Sequence, residues 1–435
     1  MQGLFEKCRA TNLFRRFVSD GSGNVAAIFA ISLLPLLGFV GAAIDYSTAN
    51  RVRTKLESAQ DAAVLLAVSN AEINKTAADA QADAVKFFNA TVGAYGLSAT
   101  INLSVTDSNG KRSASSNFST TVTTSFLNLV GYPTLTVGDK STSTVSMPVY
   151  QDFYLLLDNS PSMGVAATTT DIATMVANTS DKCAFACHDL SNSNNYYNLA
   201  KKLGVTMRID VVRQAVQQLT TTATAISAVS NQFRMAVYTF GSSCSSLGLT
   251  TISSLTSSMS SVQSAASAID LMTIPKQNYN NDQCTDFDGT LTAMNSTIPT
   301  PGSGTADNPQ KWLFFVSDGV ADANYPSTCS RTPLGNGRCQ EPLTVAQCTA
   351  MKNRGVQIAV LYTTYLALPT NDWYNNYIAP FNPGPYGPST NSQIAANMQN
   401  CASPGFYFEV SPTQGISQAM DALFKKAVAK ARLSS

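Results

Sequence analysis

The sequence is poor in the residues from which most enzyme sites are built. It contains a single histidine, two tryptophans and only 13% charged residues, against roughly 25% in typical soluble domains. One histidine excludes an H-E-x-x-H site and any multi-histidine metal site. The chain also has no G-x-x-x-x-G-K-[ST] loop, so nucleotide hydrolysis is not indicated. A Ser-His-Asp triad would have to use His188, which no nucleophile-elbow motif accompanies. We expect no enzymatic activity.

Strong net charge is absent as well. The formal net charge is +1, so no basic surface is indicated and we expect no nucleic-acid partner. Serine, threonine, asparagine and glutamine carry the polarity instead, most visibly between Thr220 and Thr300. This composition favours a folded protein outside the cytoplasm. The length of 435 residues predicts two or three folded units.

The first long feature is an uncharged apolar run of 20 residues from Val25 to Ile44. A helix of this length spans the roughly 30 Å hydrocarbon core of a bilayer, and a bilayer tolerates the kink expected at Pro35. Basic residues precede the run, which favours an N-terminus that stays inside. We therefore predict a cytoplasmic segment over 1–22, a transmembrane helix over 23–44, and a location in the bacterial inner membrane with the large C-terminal part in the periplasm.

Two other interpretations of the N-terminus compete with an uncleaved anchor. A cleaved signal peptide usually has a shorter apolar core, and no A-x-A cleavage site follows this run. Gly23 before the run resembles the cleavage glycine of type IV prepilins, but Ile28 stands where prepilins normally carry glutamate. An uncleaved anchor is the preferred interpretation.

The cysteines divide at the apolar run, with Cys8 before it and eight after it. In an oxidising compartment the eight could form at most four disulfides, whose connectivity the sequence does not give. Two local pairs are expected nevertheless. Cys183 and Cys187 (CAFACH) are one residue too far apart for C-x-x-C-H haem attachment and would staple an insertion, and Cys329 and Cys339 would tie a second one.

Two small units are expected after the apolar run. The stretch from Asp45 to about Phe88 is rich in good helix formers and predicts one continuous helix within a stalk over 45–95. Residues 96–148 then alternate between apolar and polar, and Asn109-Gly110 is typical of a hairpin turn. The pattern predicts a small antiparallel sheet packed on the helix.

From about residue 149 to the end, short apolar runs alternate with helical patterns. The predicted strands are Phe153–Leu157, Phe233–Phe240, Trp312–Val316 and Val356–Tyr362. The predicted helices are Thr206–Leu219, Asp288–Thr297, Leu343–Arg354 and Gln414–Lys430. This order indicates an α/β domain with a doubly wound, mostly parallel sheet and with insertions near 165–204 and 321–342. The second insertion lacks a strand pattern over 321–340 and is predicted to be a loop.

Polar residues cluster where the predicted strands end. Asp158, Ser160 and Ser162 (DNSPS) follow the first strand, Thr285 precedes a helix, and Asp318 (VSDG) follows the third strand. Open α/β sheets bind ligands beyond the carboxyl ends of their strands. Two carboxylates and three hydroxyls form a hard-oxygen site with too few charges for a closed calcium cage. Mg²⁺ suits such a site because it keeps waters and takes few protein carboxylates, and Mn²⁺ is the alternative ion.

This pattern resembles the metal-ion-dependent adhesion site of von Willebrand factor A domains. The resemblance implies that Asp158, Ser160 and Ser162 form the first motif, Thr285 the second and Asp318 the third. It also implies that a partner's Asp or Glu carboxylate completes the metal's coordination. The second motif departs from the family pattern because Cys284, not glycine, precedes Thr285, which leaves Thr290 as a rival ligand.

The N-terminal region narrows the resemblance. The stretch from FRRFVSDGSGNVAAIFAISLL to RVRTKLESAQDAAVLLAV is similar to the start of TadG-like proteins of the tight-adherence (Flp) pilus machinery. This similarity implies a membrane-anchored component of pilus assembly that acts by metal-dependent protein binding. Two alternatives stay open: a surface adhesin for a host or matrix ligand, and a structural scaffold with a degenerate metal site.

Overall fold

The computed structural model describes residues 23–108, 110–184, 190–191, 195–276, 283–324, 328–333, 337–365, 367, 372–384, 391–410 and 415–434. The chain divides into two compact units, with the boundary in the sequence between Met147 and Pro148. Each unit has its own hydrophobic core.

The first unit begins with helix α1, Gly23–Ala67, which contains Pro35. This helix is long and apolar enough to cross a membrane, as judged by its length and composition. Its apolar side chains between Val25 and Ile44 are largely exposed, as expected of a surface that faces lipid. Beyond Ile44 the helix becomes amphipathic and buries Leu56 and Ala63.

The predicted continuous helix from Asp45 to about Phe88 is wrong. α1 ends at Ala67, and a second helix, α2, spans Ala77–Ala94. The hydroxyl of Thr76 accepts a hydrogen bond from the Asp79 amide (3.1 Å) and caps α2. Helix formers occur on both sides of this cap, so propensity did not reveal the interruption. The break allows the apolar face of α2 to pack against that of α1.

A three-stranded antiparallel sheet completes this unit, with β1 at Thr100–Ser108, β2 at Lys111–Thr123 and β3 at Thr134–Ser146. The small antiparallel sheet predicted for this region is confirmed, and Gly110 at its first turn has a φ of +67°. The inward-facing residues of β1 and β2 share one core with α1 and α2. The buried Arg112 guanidinium binds Asp107 and the carbonyl oxygens of Glu72 and Lys75, which ties the connection between the helices to the sheet.

The second unit is built on a six-stranded sheet. Its strands are β4 (Gln151–Leu157), β5 (Phe233–Ser243), β6 (Ser246–Thr256), β7 (Gln310–Ser317), β10 (Gln357–Thr363) and β11 (Tyr407–Val410). Their order is β6-β5-β4-β7-β10-β11, and every neighbouring pair is parallel except β5 with β6. The order corresponds to 3-2-1-4-5-6 of doubly wound folds. The predicted fold class is confirmed.

Helices and alternating strand residues form a core layer on each face of the sheet. The described helices of this unit are α3 (Thr169–Asn178), α4 (Tyr196–Leu203), α5 (Arg208–Ile226), α6 (Met259–Ala266), α7 (Phe287–Thr297), α8 (Ala346–Asn353), α9 (Gln393–Cys401) and α10 (Ile416–Ser434). Phe153 and Leu155 of β4 lie in one layer, where Phe153 contacts Phe424 of α10 at 4.8 Å between ring centroids. Tyr154 and Leu156 lie in the other layer, so β4 is buried on both faces.

The second insertion is not the predicted loop. Residues Val320–Asn324 (β8) and Arg338–Pro342 (β9) form an antiparallel hairpin. Pairing between polar side chains stabilises these short strands: Arg338 Nε donates to Asp322 Oδ1 (2.7 Å), and the second guanidinium bond reaches the other oxygen. Side-chain pairing across a hairpin does not need an apolar repeat, so the sequence pattern missed it.

Among the described cysteines, three disulfides join Cys244 to Cys284, Cys329 to Cys339, and Cys348 to Cys401. The predicted local pair Cys329–Cys339 is confirmed. The predicted Cys183–Cys187 pair involves Cys187, which lies outside the described part of the chain, as does Cys8.

Candidate metal centre

Adjacent parallel strands bring the first and third motifs together. Asp158 follows β4 and Asp318 follows β7, and these strands pair along their length. The Asp158 amide donates to the carbonyl oxygen of Val316 (2.9 Å), which extends the pairing to the strand ends. Asp158 and Asp318 are both fully buried. The sheet therefore holds two carboxylates at its carboxyl edge, where open α/β sheets bind ligands.

The Asp158 carboxylate is fixed by hydrogen bonds on both oxygens. Its Oδ1 accepts from the Ser160 amide (2.9 Å), and its Oδ2 accepts from the Ser317 hydroxyl (2.6 Å). The hydroxyl oxygens of Ser160 and Ser162 lie 3.0 Å apart. Ser160 is buried and Ser162 is partly exposed, so the hydroxyl pair extends from the carboxylate towards solvent.

Asp318 is held differently. Its Oδ1 accepts a long bond from the Val320 amide (3.4 Å), and its Oδ2 has no hydrogen-bond partner among the described residues. The next residue, Gly319, has a φ of +76°, and an added Cβ would lie 2.7 Å from Ile394. Glycine is therefore required in this turn. Apart from the Arg208 guanidinium 3.8 Å away, Asp318 Oδ2 has no donor among the described residues, which leaves its hydrogen-bonding capacity unused in a buried site.

Burial changes the acidity of both carboxyl groups. Burial first, and then the nearby Asp158 charge, raise the pKa of Asp318 to about 7, despite the lowering effects of Arg208, Ser162 and the Val320 amide. Burial also raises the pKa of Asp158, although hydrogen bonds from Ser160 and Ser317 oppose this. Two buried carboxylates close enough for the charge of one to raise the pKa of the other favour a bound cation, because a cation removes the cost of ionising both.

Two threonines remain candidates for the second motif. Thr285 is buried and forms a two-way backbone bridge with Asp322 (2.8 and 3.0 Å), which fixes it beside the start of the β8–β9 hairpin. Thr290 is fully buried on α7, and its hydroxyl has no hydrogen-bond partner among the described residues. Thr285 is thus tied to the segment that follows Asp318, while Thr290 has the unpaired hydroxyl. The ligand role of either stays a prediction.

Sequence reasoning missed Arg208, a cation at the same edge. Arg208 is the first residue of α5 and is only 2% exposed. Its Nη1 lies 3.8 Å from Asp318 Oδ2, too far for a hydrogen bond, while its Nη2 donates to the carbonyl oxygen of Thr364 (3.1 Å). Nε and Nη1 have no hydrogen-bond partner among the described residues. An arginine at a helix start carries no sequence signal that would have placed it beside a carboxylate.

Two polar residues inside the predicted motifs also support the site. Ser317 of VSDG donates to Asp158 and accepts from the Gly319 amide (2.9 Å). Asn159 of DNSPS is buried, donates to the carbonyl oxygen of Gly241 (2.8 Å) and accepts from the Phe240 amide (3.1 Å). Both lie within the quoted motifs, so the signal was present, but they act as supports for the loop and not as ligands.

The residues present fit a divalent cation with hard-oxygen preference. They supply two carboxylates and the hydroxyls of Ser160 and Ser162, and one of the carboxylate oxygens, Asp318 Oδ2, has no hydrogen-bond donor within the described part of the chain. Carboxylate and hydroxyl oxygens are the donors that Mg²⁺ and Mn²⁺ accept. The strand order places this oxygen-rich edge at the carboxyl end of an open, doubly wound α/β sheet.

The N-terminal part of the chain is similar to a known protein family. Residues 23–84 match the TadE/G-like family of Flp pilus-assembly proteins, which confirms the resemblance expected from the sequence. The match covers α1 and the first part of α2. A comparison with curated proteins finds no match.

Several solved structures are similar to the chain at low identity. The von Willebrand factor domain of the type V pilus tip protein Mfa5 from Porphyromonas gingivalis is 11% identical, covers 66% of this chain and 97% of its own, and gives a TM-score of 0.36. The pilus adhesin SpaC from Lactobacillus rhamnosus GG is 14% identical over 77% of this chain, with a TM-score of 0.35. The chain spans 34% of SpaC.

A third structure is proximal thread matrix protein 1 from the mussel byssus, described with a zinc-occupied MIDAS motif. It is 13% identical, covers 65% of this chain and 46% of its own, and gives a TM-score of 0.33. These scores add nothing to the fold assignment, which rests on strand order and on the geometry of the sheet edge.

Proposed function

We propose that this chain is a membrane-anchored periplasmic component of Flp pilus assembly that acts by metal-dependent protein–protein binding. Asp158, Ser160, Ser162, Thr285 and Asp318 would hold Mg²⁺ or Mn²⁺. The observation that supports this most is the buried Asp318 Oδ2, which has no donor among the described residues and lies beside a second carboxylate. The TadE/G-like match over residues 23–84 supports the pilus context.

Charge supports a carboxylate-bearing partner. Asp158, Asp318 and Arg208 are buried together, and a divalent ion added to them leaves one net positive charge at the centre. A partner's Asp or Glu would neutralise that charge and coordinate the metal. Ser162, the partly exposed member of the set, lies on the side from which such a partner would approach. We assign this centre to binding and no catalytic role to the chain.

The proposed topology follows from α1. Residues 1–22 would be cytoplasmic, 23–44 would span the inner membrane, and the stalk (45–95), the β unit (96–148) and the A domain (149–435) would lie in the periplasm. The exposed apolar surface between Val25 and Ile44 supports the membrane span.

The proposed function is tested by complementation of a strain that lacks the chain. We expect the wild-type chain to restore pili and surface attachment, and Asp158→Ala and Asp318→Ala to fail at wild-type protein levels. Asp171→Ala, at a capping residue of α3 away from the motif, is the matched control and should restore both. Normal pili in the deletion strain would contradict the proposal.

Protease treatment of intact cells separates this proposal from a surface adhesin. A periplasmic domain is protected until the outer membrane is permeabilised, whereas an adhesin is cut at once. Full complementation by both aspartate variants would instead favour a scaffold with a degenerate metal site.

A further inference from the structure

A short segment of the first unit exposes apolar side chains next to the membrane helix. This segment, Ser125–Tyr132, connects β2 to β3 and is called the apolar loop here. Its large side chains are exposed to an extent that is unusual for a soluble surface: Leu129 83%, Val130 66%, Tyr132 64% and Phe126 45%. A contiguous exposed apolar patch marks a contact with a protein or a membrane.

The apolar loop is rigid and not a loose connection. The Thr124 amide donates to the carbonyl oxygen of Pro133 (3.0 Å) and closes its base. Inside it, residues 127–130 form a 3-10 turn that ends at Gly131 with a φ of +92°. The exposed side chains are therefore held in place, and their exposure is a property of the folded unit.

One carboxylate clamps the apolar loop to α1. Asp45 is the first residue after the uncharged run, and it accepts hydrogen bonds from three successive amides, those of Ser125 (2.9 Å), Phe126 (2.8 Å) and Leu127 (2.7 Å). Four residues earlier on α1, Gly41 lies against Phe126, and a Cβ at Gly41 would lie 2.5 Å from the Phe126 side chain. Gly41 and Asp45 thus fix the position of the apolar loop along the axis of α1.

This position along α1 coincides with the end of the predicted membrane span. Gly41 precedes Ile44, the last residue of the uncharged run, by three positions, which is about 4.5 Å along a helix. Phe126 therefore lies inside the apolar span. Tyr46 on α1, 68% exposed, and Tyr132 add aromatic rings near the same level, which is the pattern of an interfacial belt.

We infer that the apolar loop is a second membrane contact, with Phe126, Leu129, Val130 and Tyr132 inserted into the periplasmic face of the lipid bilayer beside α1. A lipid surface is favoured over a partner protein because the patch is continuous with the exposed apolar surface of the span itself. The contact would hold the first unit close to the bilayer at a fixed orientation, which a single helix alone does not achieve. The inference depends on the membrane anchor but not on the metal centre.

The test uses the full chain in vesicles of phosphatidylethanolamine and phosphatidylglycerol that carry brominated phosphatidylcholine, a quencher of tryptophan. Leu129→Trp places a probe on the apolar loop, and the wild-type chain gives the background from its two native tryptophans. Ser108→Trp is the matched control, because this exposed last residue of β1 pairs with Lys111 at the start of β2, and the length of β2, roughly 40 Å, separates it from the apolar loop. Leu36→Trp, in the middle of the span, reports whether the anchor is in the bilayer.

We expect brominated lipid to quench the added emission of Leu129→Trp and Leu36→Trp at least twofold and to leave that of Ser108→Trp unchanged. Quenching of Leu36→Trp without quenching of Leu129→Trp would overturn the inference. If the Leu129 side chain were then shielded from solvent only in cells, the apolar loop would contact a protein and not the bilayer. Equal quenching of Ser108→Trp would also overturn it, because the contact would not be specific to the loop. An unquenched Leu36→Trp would refute the anchor and the loop contact together, while metal binding would be unaffected.

Discussion

Asp318 and Arg208 face each other at the centre without a direct hydrogen bond. Their nearest charged atoms are 3.8 Å apart, and Asp318 Oδ2 and Arg208 Nη1 both lack hydrogen-bond partners among the described residues. Charge attraction in a buried site is strong, so the pair partly neutralises the carboxylate when no metal is bound. The same guanidinium opposes an incoming cation. Arg208 is therefore expected to set the affinity of the centre for its metal.

Removal of that charge gives the first prediction. Arg208→Leu should bind Mg²⁺ roughly tenfold more tightly than the wild type at pH 8, since a tenfold change needs only about 1.4 kcal/mol of relieved repulsion. Calorimetric titration measures the affinity. Arg213→Leu, on the same helix but paired with Asp210, is the control and should leave affinity unchanged. Weaker binding by Arg208→Leu would show that the arginine supports the site.

Removing one hydroxyl at a time identifies which threonine, Thr285 or Thr290, is the metal ligand of the second motif. Thr285→Val should weaken Mg²⁺ binding at least tenfold, because the predicted ligand oxygen is lost while the shape is kept. Thr290→Val should change affinity less than twofold. The reverse result would assign the ligand to Thr290, whose buried hydroxyl has no partner in the described structure.

The positions of some residues at the centre could be predicted from the sequence, and the position of Arg208 could not. The position of Asp158 and Asp318 at one edge of the sheet could be predicted, because each follows an apolar strand within a short motif and adjacent parallel strands end at the same edge. Arg208 could not be found, because its approach to Asp318 depends on how α5 packs, which no local pattern encodes.

At the scale of elements, disulfides fix long connections in the second unit. Cys348–Cys401 joins α8 to α9 across 53 residues, while Cys329–Cys339 closes only 10 residues within the β8–β9 hairpin region. A crosslink that closes a longer loop removes more conformational entropy from the unfolded chain. The two bridges should therefore differ in what they contribute to stability.

This difference gives a prediction. Replacing Cys348 and Cys401 with alanine should lower the free energy of unfolding by about 4 kcal/mol, and replacing Cys329 and Cys339 by about 3 kcal/mol. Denaturant unfolding followed by the fluorescence of the buried Trp312 measures both. The prediction fails if the short bridge proves the more stabilising of the two.

Elements with strong periodicity were predictable, and elements held by polar pairing were not. The four apolar runs became β4, β5, β7 and β10 because each is buried on both faces. The β8–β9 hairpin depends on the Asp322–Arg338 ion pair, and the break between α1 and α2 depends on the Thr76 cap. Such features rest on one or two specific contacts, which composition and period do not reveal.

Over the whole molecule, burial of two carboxylates links stability, pH and metal. The pKa of Asp318 is raised to about 7 in the folded state, against 3.8 for an ordinary aspartate. The folded chain therefore binds more protons than the unfolded chain between these values, and this group's contribution to stability falls as pH rises from about 4 to 7. A divalent cation that pairs with the carboxylates would offset the loss.

The corresponding prediction is a pH-dependent difference in melting temperature between two proteins in EDTA. Relative to Asp318→Asn, which does not titrate, the wild type should lose stability as pH rises from 4 to 7. Scanning calorimetry at pH 4.5 and 7.5 measures this, and Mg²⁺ should restore the wild type but not the variant at pH 7.5. If the difference in melting temperature between the wild type and Asp318→Asn stayed constant with pH, Asp318 would not be the titrating group.

A functional metal centre requires that the full-length chain in detergent binds a divalent metal through Asp158. Calorimetric titration with Mg²⁺ and Mn²⁺, alongside a folded Asp158→Ala variant, tests this. We predict saturable binding of one ion per wild-type chain and loss of that binding in the variant. Equal binding by both proteins, or no binding of either metal by the wild type at millimolar concentration, would contradict a functional metal centre.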